Sequence, residues 1–188
     1  MNNKGFTLVE LIGSMVILGL MMVLVVPNVV GLLNNSRETV YVEDAKKLVN
    51  IAKSKISTKR VTPPGDAQCV FLGLAYLENG EFDNPPNGGC YDVNRSFVVV
   101  KKNANKEYEY YVQLVEYFHK KYNGLLTPKK STDIKKDSVE QGKTSVALSY
   151  TYTGSSGVTI SECPTYSNSY LKNGPKTYKD TSEGVCAR

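Results

Sequence analysis

An uncharged segment near the start of the chain limits what this protein can fold into. Residues 11–36 contain no Asp, Glu, Lys, Arg or His side chain. Because roughly 20 apolar residues are enough for a helix to cross a bilayer, this segment is long enough to span a membrane. Before the apolar stretch come the five residues MNNKG, in which Lys4 is the one basic residue.

Two residues at the edge of this segment do not fit an ordinary secretory signal. Such a signal places its small-residue cleavage site after the apolar core, whereas Gly5 comes before it. Cleavage after Gly5 would therefore leave the hydrophobic segment on the mature protein. Glu10 is the second unusual residue, because an ionisable group inside a spanning segment is costly and by default marks a functional position.

The sequence GFTLVE at residues 5–10, followed by an apolar run that contains Pro27, resembles the prepilin signature of type IV pilins and related pseudopilins. The resemblance covers about the first 60 residues well and the remainder in outline. It implies that a membrane-embedded prepilin peptidase cleaves between Gly5 and Phe6, which makes residues 1–5 a leader. It also implies N-methylation of the new terminal amine on Phe6.

The chemistry of Glu10 agrees with that implication. A carboxylate in hydrocarbon attracts a cation, and a processed chain supplies one in the α-amino group of Phe6. In subunits that stack with an axial offset, Glu10 of one chain meets the amine of its neighbour, where low dielectric strengthens the attraction and desolvation offsets part of it. We therefore expect Glu10 to set the register of assembly. The alternative is a simple anchor whose Glu10 lies among lipid headgroups.

The helix is expected to continue beyond the membrane segment. Pro27 removes a backbone donor, which predicts a kink, and the resemblance implies unwinding there during assembly. The chain divides into a transmembrane half, residues 6–33, and an amphipathic half, residues 34–60, which Pro63 and the following residues terminate. One apolar stripe runs along the second half: Val42, Ala45, Leu48, Val49, Ala52 and Ile56.

The fold class predicted is α+β, the type IV pilin fold, in which the C-terminal half of a long kinked helix packs on an antiparallel sheet of about four strands. The head comprises residues 61–188, with the sheet in 96–161. Four segments are expected to form strands: residues 96–103, 106–118, 144–153 and 157–163. Residues 70–77 are expected to form a short helix or turn, and residues 119–143 a polar excursion without strands. In the second strand, one face should pack on the helix and the other be partly wet.

The four cysteines, Cys69, Cys90, Cys163 and Cys186, all lie in the head. With a membrane-targeting N-terminus, an even count predicts an oxidising exterior and two disulfides. Three pairings are open. The nearest-neighbour pairing would pin residues 66–95 as a connecting loop and residues 163–186 as a C-terminal loop. A zinc site is disfavoured because there is no C-x-x-C motif, and we expect neither a metal nor a cofactor.

No catalytic motif appears in the chain, so we expect it not to be an enzyme. A Walker loop, H-E-x-x-H, G-x-S-x-G and a dinucleotide fingerprint are all absent, and His119 is the single histidine. The net charge of +5 arises partly from lysine doublets. These doublets are expected to be solvated surface, with attraction to anionic polymers or nucleic acid as the alternative.

Together these features predict a structural subunit of a type IV pilus, held in the cell membrane before assembly and then extracellular, that serves adhesion, twitching motility or biofilm formation. The resemblance implies self-association and other pilins as partners, together with prepilin peptidase, a platform protein in the inner membrane and an assembly ATPase. The composition suits a Gram-positive, clostridial-like source. One alternative is a minor pilin, an adhesin for host or cell surfaces or a DNA-binding tip subunit. The other is a pseudopilin of a type II secretion or competence system.

Overall fold

The structure is a computed structural model that describes residues 7–66, 68–77, 84–93 and 95–146, together with the backbone of five short strands beyond residue 149. The chain divides into two compact units, Met1–Arg37 and Glu38–Arg188. One helix, α1 (Leu8–Ser57), contributes its first part to the first unit and its second part to the other.

The start of α1 is exposed along its whole apolar surface. Every large apolar side chain described between Leu8 and Leu33 is at least 46% exposed. Within the described residues, α1 is the one helix long and apolar enough to cross a membrane, a property that signal sequences share. The length and composition of this segment fit the predicted membrane-anchored precursor.

The end of α1 comes slightly earlier than predicted. Lys59 takes a positive φ of 56°, and its amide donates to the Ile56 carbonyl at 3.0 Å, while the Arg60 amide donates to the Lys55 carbonyl at 3.0 Å. This pair of bonds is a Schellman motif, which satisfies carbonyls that the helix end leaves open. The helix therefore stops at Ser57 by its own C-terminal capping, before Pro63 is reached.

The second part of α1 buries the predicted stripe. Tyr41, which the prediction did not include, joins it, and Ile56 is only partly buried. The core that contains this stripe also includes Val98 and Val100 of one strand and Val112 and Leu114 of the next. The predicted packing of the amphipathic half of α1 on a sheet is confirmed.

The main sheet has seven strands in the part of the chain that the structure describes. Its strands are β1 (Cys69–Gly73), β2 (Cys90–Tyr91), β3 (Phe97–Lys102), β4 (Tyr108–Phe118), β5 (Lys121–Lys130), β6 (Glu140–Lys143) and β9 (Tyr166–Tyr170). The order is β6-β5-β4-β3-β1-β9, and β2 also pairs with β4. All pairs are antiparallel except β1 with β9, which is parallel. The antiparallel sheet is confirmed, with more strands than expected.

Two segments of the head differ from the prediction. Residues 70–77 begin as β1, and only Leu74–Leu77 form the short helix α2. Residues 119–143, expected to lack strands, contain β5 and β6, which are separated by a short 3-10 helix at Lys136–Ser138. Strand β5 pairs with β4 across a two-residue turn, in which His119 and Lys120 both have positive φ.

The two faces of β4 are buried more evenly than expected. Tyr110, Val112 and Leu114 form the face that points into the core shared with α1. On the face expected to be partly wet, Gln113 and Val115 are fully buried, and the remaining residues of that face are half-buried. This face is therefore partly wet towards its ends, as predicted, and fully buried at the centre of the strand.

The last two predicted strands do not join the main sheet. Strands β7 (Tyr150–Tyr152) and β8 (Val158–Ile160) pair with each other in a separate two-stranded sheet. Strands β10 (Lys179–Thr181) and β11 (Gly184–Cys186) form a second such pair. Within the predicted strand at 144–153, residues 144–146 are not in a strand and residues 150–152 form β7, whereas residues 147–149 and 153 lie outside the described part.

The registers place Cys69 and Cys90 far apart. Cys69 lies opposite Lys101 on β3, and Lys101 lies opposite Glu109 on β4. Cys90 lies opposite Tyr117 at the other end of β4. The eight residues that separate those two positions of β4 extend roughly 25 Å, at about 3.3 Å per residue.

Candidate assembly site at the start of the long helix

The predicted assembly residue Glu10 lies in a hydrogen-bonded box with Thr7 at the start of α1. The Thr7 backbone amide donates to Glu10 Oε2 at 2.9 Å, and the Glu10 amide donates to Thr7 Oγ1 at 3.3 Å. The Thr7 hydroxyl also donates to Glu10 Oε2 at 2.8 Å. These reciprocal bonds form a capping box, which satisfies backbone donors that the start of a helix leaves open.

The capping box is a role for Glu10 that the sequence prediction missed. The signal was present, since Thr7 and Glu10 form the T-x-x-E spacing typical of a helix N-terminus. An acidic side chain in the first turn also interacts favourably with the helix dipole. In the single chain, Glu10 therefore fixes where α1 begins.

The box lies next to the predicted processing point. The Thr7 amide that Glu10 binds belongs to the peptide bond that follows Phe6, so a carboxylate is held beside the residue expected to become the new terminus. Gly5 and Phe6 themselves lie outside the described residues. The arrangement brings an acidic group to the end of the chain where processing would create a basic one.

The glycines of the exposed segment are not required by packing within the chain. A Cβ atom added at Gly13, Gly19 or Gly31 would meet nothing within 4 Å. The hydroxyl of Ser14 donates back to the Leu11 carbonyl at 2.8 Å, so this polar group is satisfied within the helix. Small residues and internally bonded hydroxyls allow membrane helices to approach each other closely.

Comparison with known protein families agrees with this geometry. A family model described as "Prokaryotic N-terminal methylation motif" matches residues 1–26. The chain carries the type IV prepilin signature. No curated protein and no solved structure matches the chain.

The prepilin signature indicates a role for the exposed helix that hydropathy alone does not identify. A prepilin is a membrane-anchored precursor that prepilin peptidase processes and that assembles with other pilins. The chain is therefore pilin-like or pseudopilin-like, with its signature in the first unit. Pro27 lies within α1, and the predicted kink there stays a prediction.

The lysine doublets of the head are partly neutralised. Lys102 Nζ lies 2.6 Å from Asp66 Oδ1, and Lys130 Nζ lies 2.9 Å from Glu109 Oε1. The hydrogen bond from Lys130 is the main cause that lowers the pKa of Glu109. His119 is exposed on the turn between β4 and β5. These contacts describe a solvated surface with local ion pairs, as expected for most doublets.

A buried polar cluster in the head was not predicted. Glu116 of β4 is completely buried and accepts hydrogen bonds from the Tyr41 hydroxyl, from Asn87 Nδ2 at 2.7 Å and from Asn123 Nδ2 at 3.3 Å. Its second oxygen accepts from the Gly89 amide at 3.1 Å. This Glu116 cluster joins α1, the segment before β2, and the β4–β5 hairpin.

A second tyrosine bonds to the helix beside that cluster. The hydroxyl of Tyr91 on β2 donates to Asp44 Oδ2 on α1. Burial is the largest cause that raises the pKa of Tyr91 well above its ordinary range, and the Asp44 carboxylate adds to it. Together the two contacts fix the segment around β2 against α1 by polar bonds as well as by apolar packing.

Proposed function

We propose that this protein is a structural subunit of a type IV pilus. In this proposal it is made as a membrane-anchored prepilin, cleaved after Gly5, methylated on Phe6, and assembled into filaments on the cell surface. One observation carries the proposal: the methylation motif at residues 1–26 is continuous with a long exposed apolar helix. The bundled helices would form the filament core, and the heads its outer surface.

In this proposal, assembly gives Glu10 an additional partner. In the single chain its carboxylate accepts from the Thr7 amide and hydroxyl. We propose that in the filament this carboxylate pairs with the Phe6 amine of a neighbouring subunit, while the amide bond within the helix is retained. A carboxylate has two oxygens and about four acceptor positions, so both interactions fit. The pair supplies register, and apolar helix packing supplies most of the attraction.

Mass spectrometry of the protein from its native source tests processing directly. We expect a chain that begins at Phe6 and carries one additional methyl group. A chain that retains Met1 would overturn the proposal at its first step. A Gly5→Leu variant, which removes the small residue at the predicted cleavage point, should accumulate as the uncleaved precursor in the membrane.

Two substitutions separate assembly from helix capping. Glu10→Gln keeps an oxygen acceptor for the Thr7 amide and removes the charge, so incorporation into fibres should fall by about tenfold or more, as expected for 1.4 kcal/mol of lost interaction. Thr7→Val removes the hydroxyl from the capping box and keeps the carboxylate, so fibres should form nearly as before. Immunogold labelling and subunit quantification of sheared fibres provide the measurement. Equal incorporation of both variants would contradict the register role of Glu10.

Overexpression distinguishes a pilin from a pseudopilin, since the N-terminal features of the two are of the same kind. A pilin should give long fibres outside the cell, whereas a pseudopilin should give short fibres that remain within the envelope. We propose no catalytic activity for either form, because the function rests on assembly.

A further inference from the structure

Two cysteines of the head, Cys69 and Cys90, indicate how the four cysteines pair in disulfides. Cys69 and Cys90 are both disulfide-bonded. A disulfide requires Cα atoms within about 7 Å of each other. The roughly 25 Å that separates these residues along β4 is more than three times that limit. Cys69 and Cys90 are therefore not bonded to each other, which excludes the nearest-neighbour pairing.

The remaining cysteines, Cys163 and Cys186, are both in the C-terminal segment. Strand β9 pairs with β1 so that Tyr166 lies opposite Cys69. Three peptide units connect Tyr166 to Cys163 and extend at most about 11 Å. That reach includes Cys69 but falls well short of Cys90, at the far end of the sheet.

The other end of the C-terminal segment lies near Cys90. Strand β11 ends at Cys186, and its backbone lies against β2, which begins at Cys90. The described strands therefore place Tyr166 opposite Cys69 at one end of the sheet and β11, which ends at Cys186, against the strand that begins at Cys90. The positions of these strands select one of the two pairings that remain.

We propose that the disulfides join Cys69 to Cys163 and Cys90 to Cys186. In forming each bond, two Sγ–H bonds break and one Sγ–Sγ bond forms. The two protons and two electrons pass to the disulfide of a thiol–disulfide oxidant, which is reduced to a dithiol. Each bond closes a large loop instead of a local one, and the two loops overlap. The C-terminal segment is therefore fastened to the sheet at both ends.

Peptide mapping of the full, unreduced chain tests this pairing. Free thiols are first blocked with N-ethylmaleimide at low pH. Trypsin does not cleave between Cys69 and Cys90, so both cysteines stay in one tryptic peptide, residues 61–95. Cys163 lies in the tryptic peptide of residues 144–172, and Cys186 lies in that of residues 180–188. The proposed bonds hold all three peptides together as one species, which separates on reduction. Nearest-neighbour bonds would instead give residues 61–95 alone with an internal link, and that result would overturn the proposal.

A second protease distinguishes the two tail pairings. Cleavage after Glu78 and Glu81 separates Cys69 from Cys90, so the proposed bonds then give two linked pairs with Cys163 attached to Cys69. Finding Cys186 on the Cys69 peptide would refute the assignment. N-ethylmaleimide on Cys69 or Cys90 of the wild-type protein would also refute it.

Two matched serine variants give an independent result. Cys69→Ser should leave Cys163 as the labelled thiol, whereas Cys90→Ser should leave Cys186. Labelling of Cys90 in the Cys69→Ser protein would contradict the pairing. If either variant fails to fold, the wild-type map still decides the question. The map is also independent of pilus assembly, so its failure and the failure of the proposed function are distinguishable.

Discussion

Removing one oxygen atom from Tyr41 tests whether the Glu116 cluster stabilises the head. Tyr41 is completely buried on α1, and its hydroxyl donates to Glu116 Oε2 and accepts from Asn87 Nδ2 at 2.8 Å. Tyr41→Phe keeps the ring and therefore the apolar packing. It leaves the buried carboxylate with donors from Asn87, Asn123 and the Gly89 amide.

The expected cost follows from the type of bond that is lost. A hydrogen bond to a charged group contributes about 1.5–3 kcal/mol, and a buried acceptor that loses a donor cannot recover it from water. For a domain of this size, each kcal/mol lowers the melting temperature by about 2–4 °C, so Tyr41→Phe should lower it by about 3–12 °C. The denaturant slope should not change, since the surface exposed on unfolding is the same.

Chemical and thermal unfolding of a soluble fragment that begins at Asn35 provides the assay, because Glu38–Arg188 forms a compact unit. Tyr110→Phe is the matched control. Tyr110 is also a buried tyrosine of the core, and Lys53 Nζ lies 5.3 Å from its ring. It is not a member of the Glu116 cluster, so the control removes a hydroxyl without breaking a hydrogen bond of that cluster. If the two variants lose the same stability, the cluster does not stabilise the head beyond ordinary packing.

Two further predictions concern the sheet. Gly124→Ala should lower the free energy of unfolding by about 3 kcal/mol or more, because Gly124 has a φ of +112° and an added Cβ would lie 2.3 Å from the Leu114 carbonyl oxygen. Gly142→Ala is the control and should lower it by only about 1–2 kcal/mol, because Gly142 has a φ of +69° and open space around it. Equal losses in denaturant unfolding would contradict the steric argument. Lys130→Met should raise the pKa of Glu109, measured by carboxyl NMR titration, because the hydrogen bond from Lys130 is the main cause that lowers it. A lowered pKa in the folded state stabilises the head above the ordinary Glu pKa, and that contribution is lost as the pH falls through the folded pKa. In the variant this acid-dependent loss should become smaller, with the hydrogen bonds from Tyr111 and Asn103 retained.

The elements that could be predicted are those whose pattern is local. The stripe of α1 repeats at helical spacing and is buried as expected. Strands β3 and β4 alternate clearly, and the turn between them lies where predicted: the Asn103 amide donates to the Glu107 carbonyl at 2.9 Å, and Asn103 Oδ1 accepts from the Glu107 amide at 2.9 Å. The prepilin signature is likewise contained in a few consecutive residues, so the candidate site could be located from the sequence.

Strand β1 was missed because its apolar residues form a continuous run. A run of this kind is consistent with a buried strand or a buried helix, and periodicity does not separate the two. All five residues of β1 are buried, with Phe71 packed on Phe97 at a ring distance of 4.8 Å. Pairing with β3 on one side and β9 on the other decides the conformation, and neither partner is close in sequence.

Strand β5 and the Glu116 cluster depend on contacts that are distant in sequence. Strand β5 contains Gly124 and Pro128, which disfavour a strand locally, yet it pairs with β4 and β6 on its two edges. Tyr41 and Glu116 are separated by 75 residues. Glu116 follows the alternation of the apolar face of β4, so its burial could be inferred, but its partners could not.

The turn between β4 and β5 has a practical consequence. His119 and Lys120 take φ values of 47° and 59°, which Asn and Gly adopt more readily, so the flanking pairs Phe118–Lys121 and Tyr117–Tyr122 maintain the hairpin in spite of its turn residues. Both turn residues are exposed. A fluorophore or a short peptide tag could therefore be introduced at this tip while the fold is retained, which would allow individual subunits to be followed in living cells.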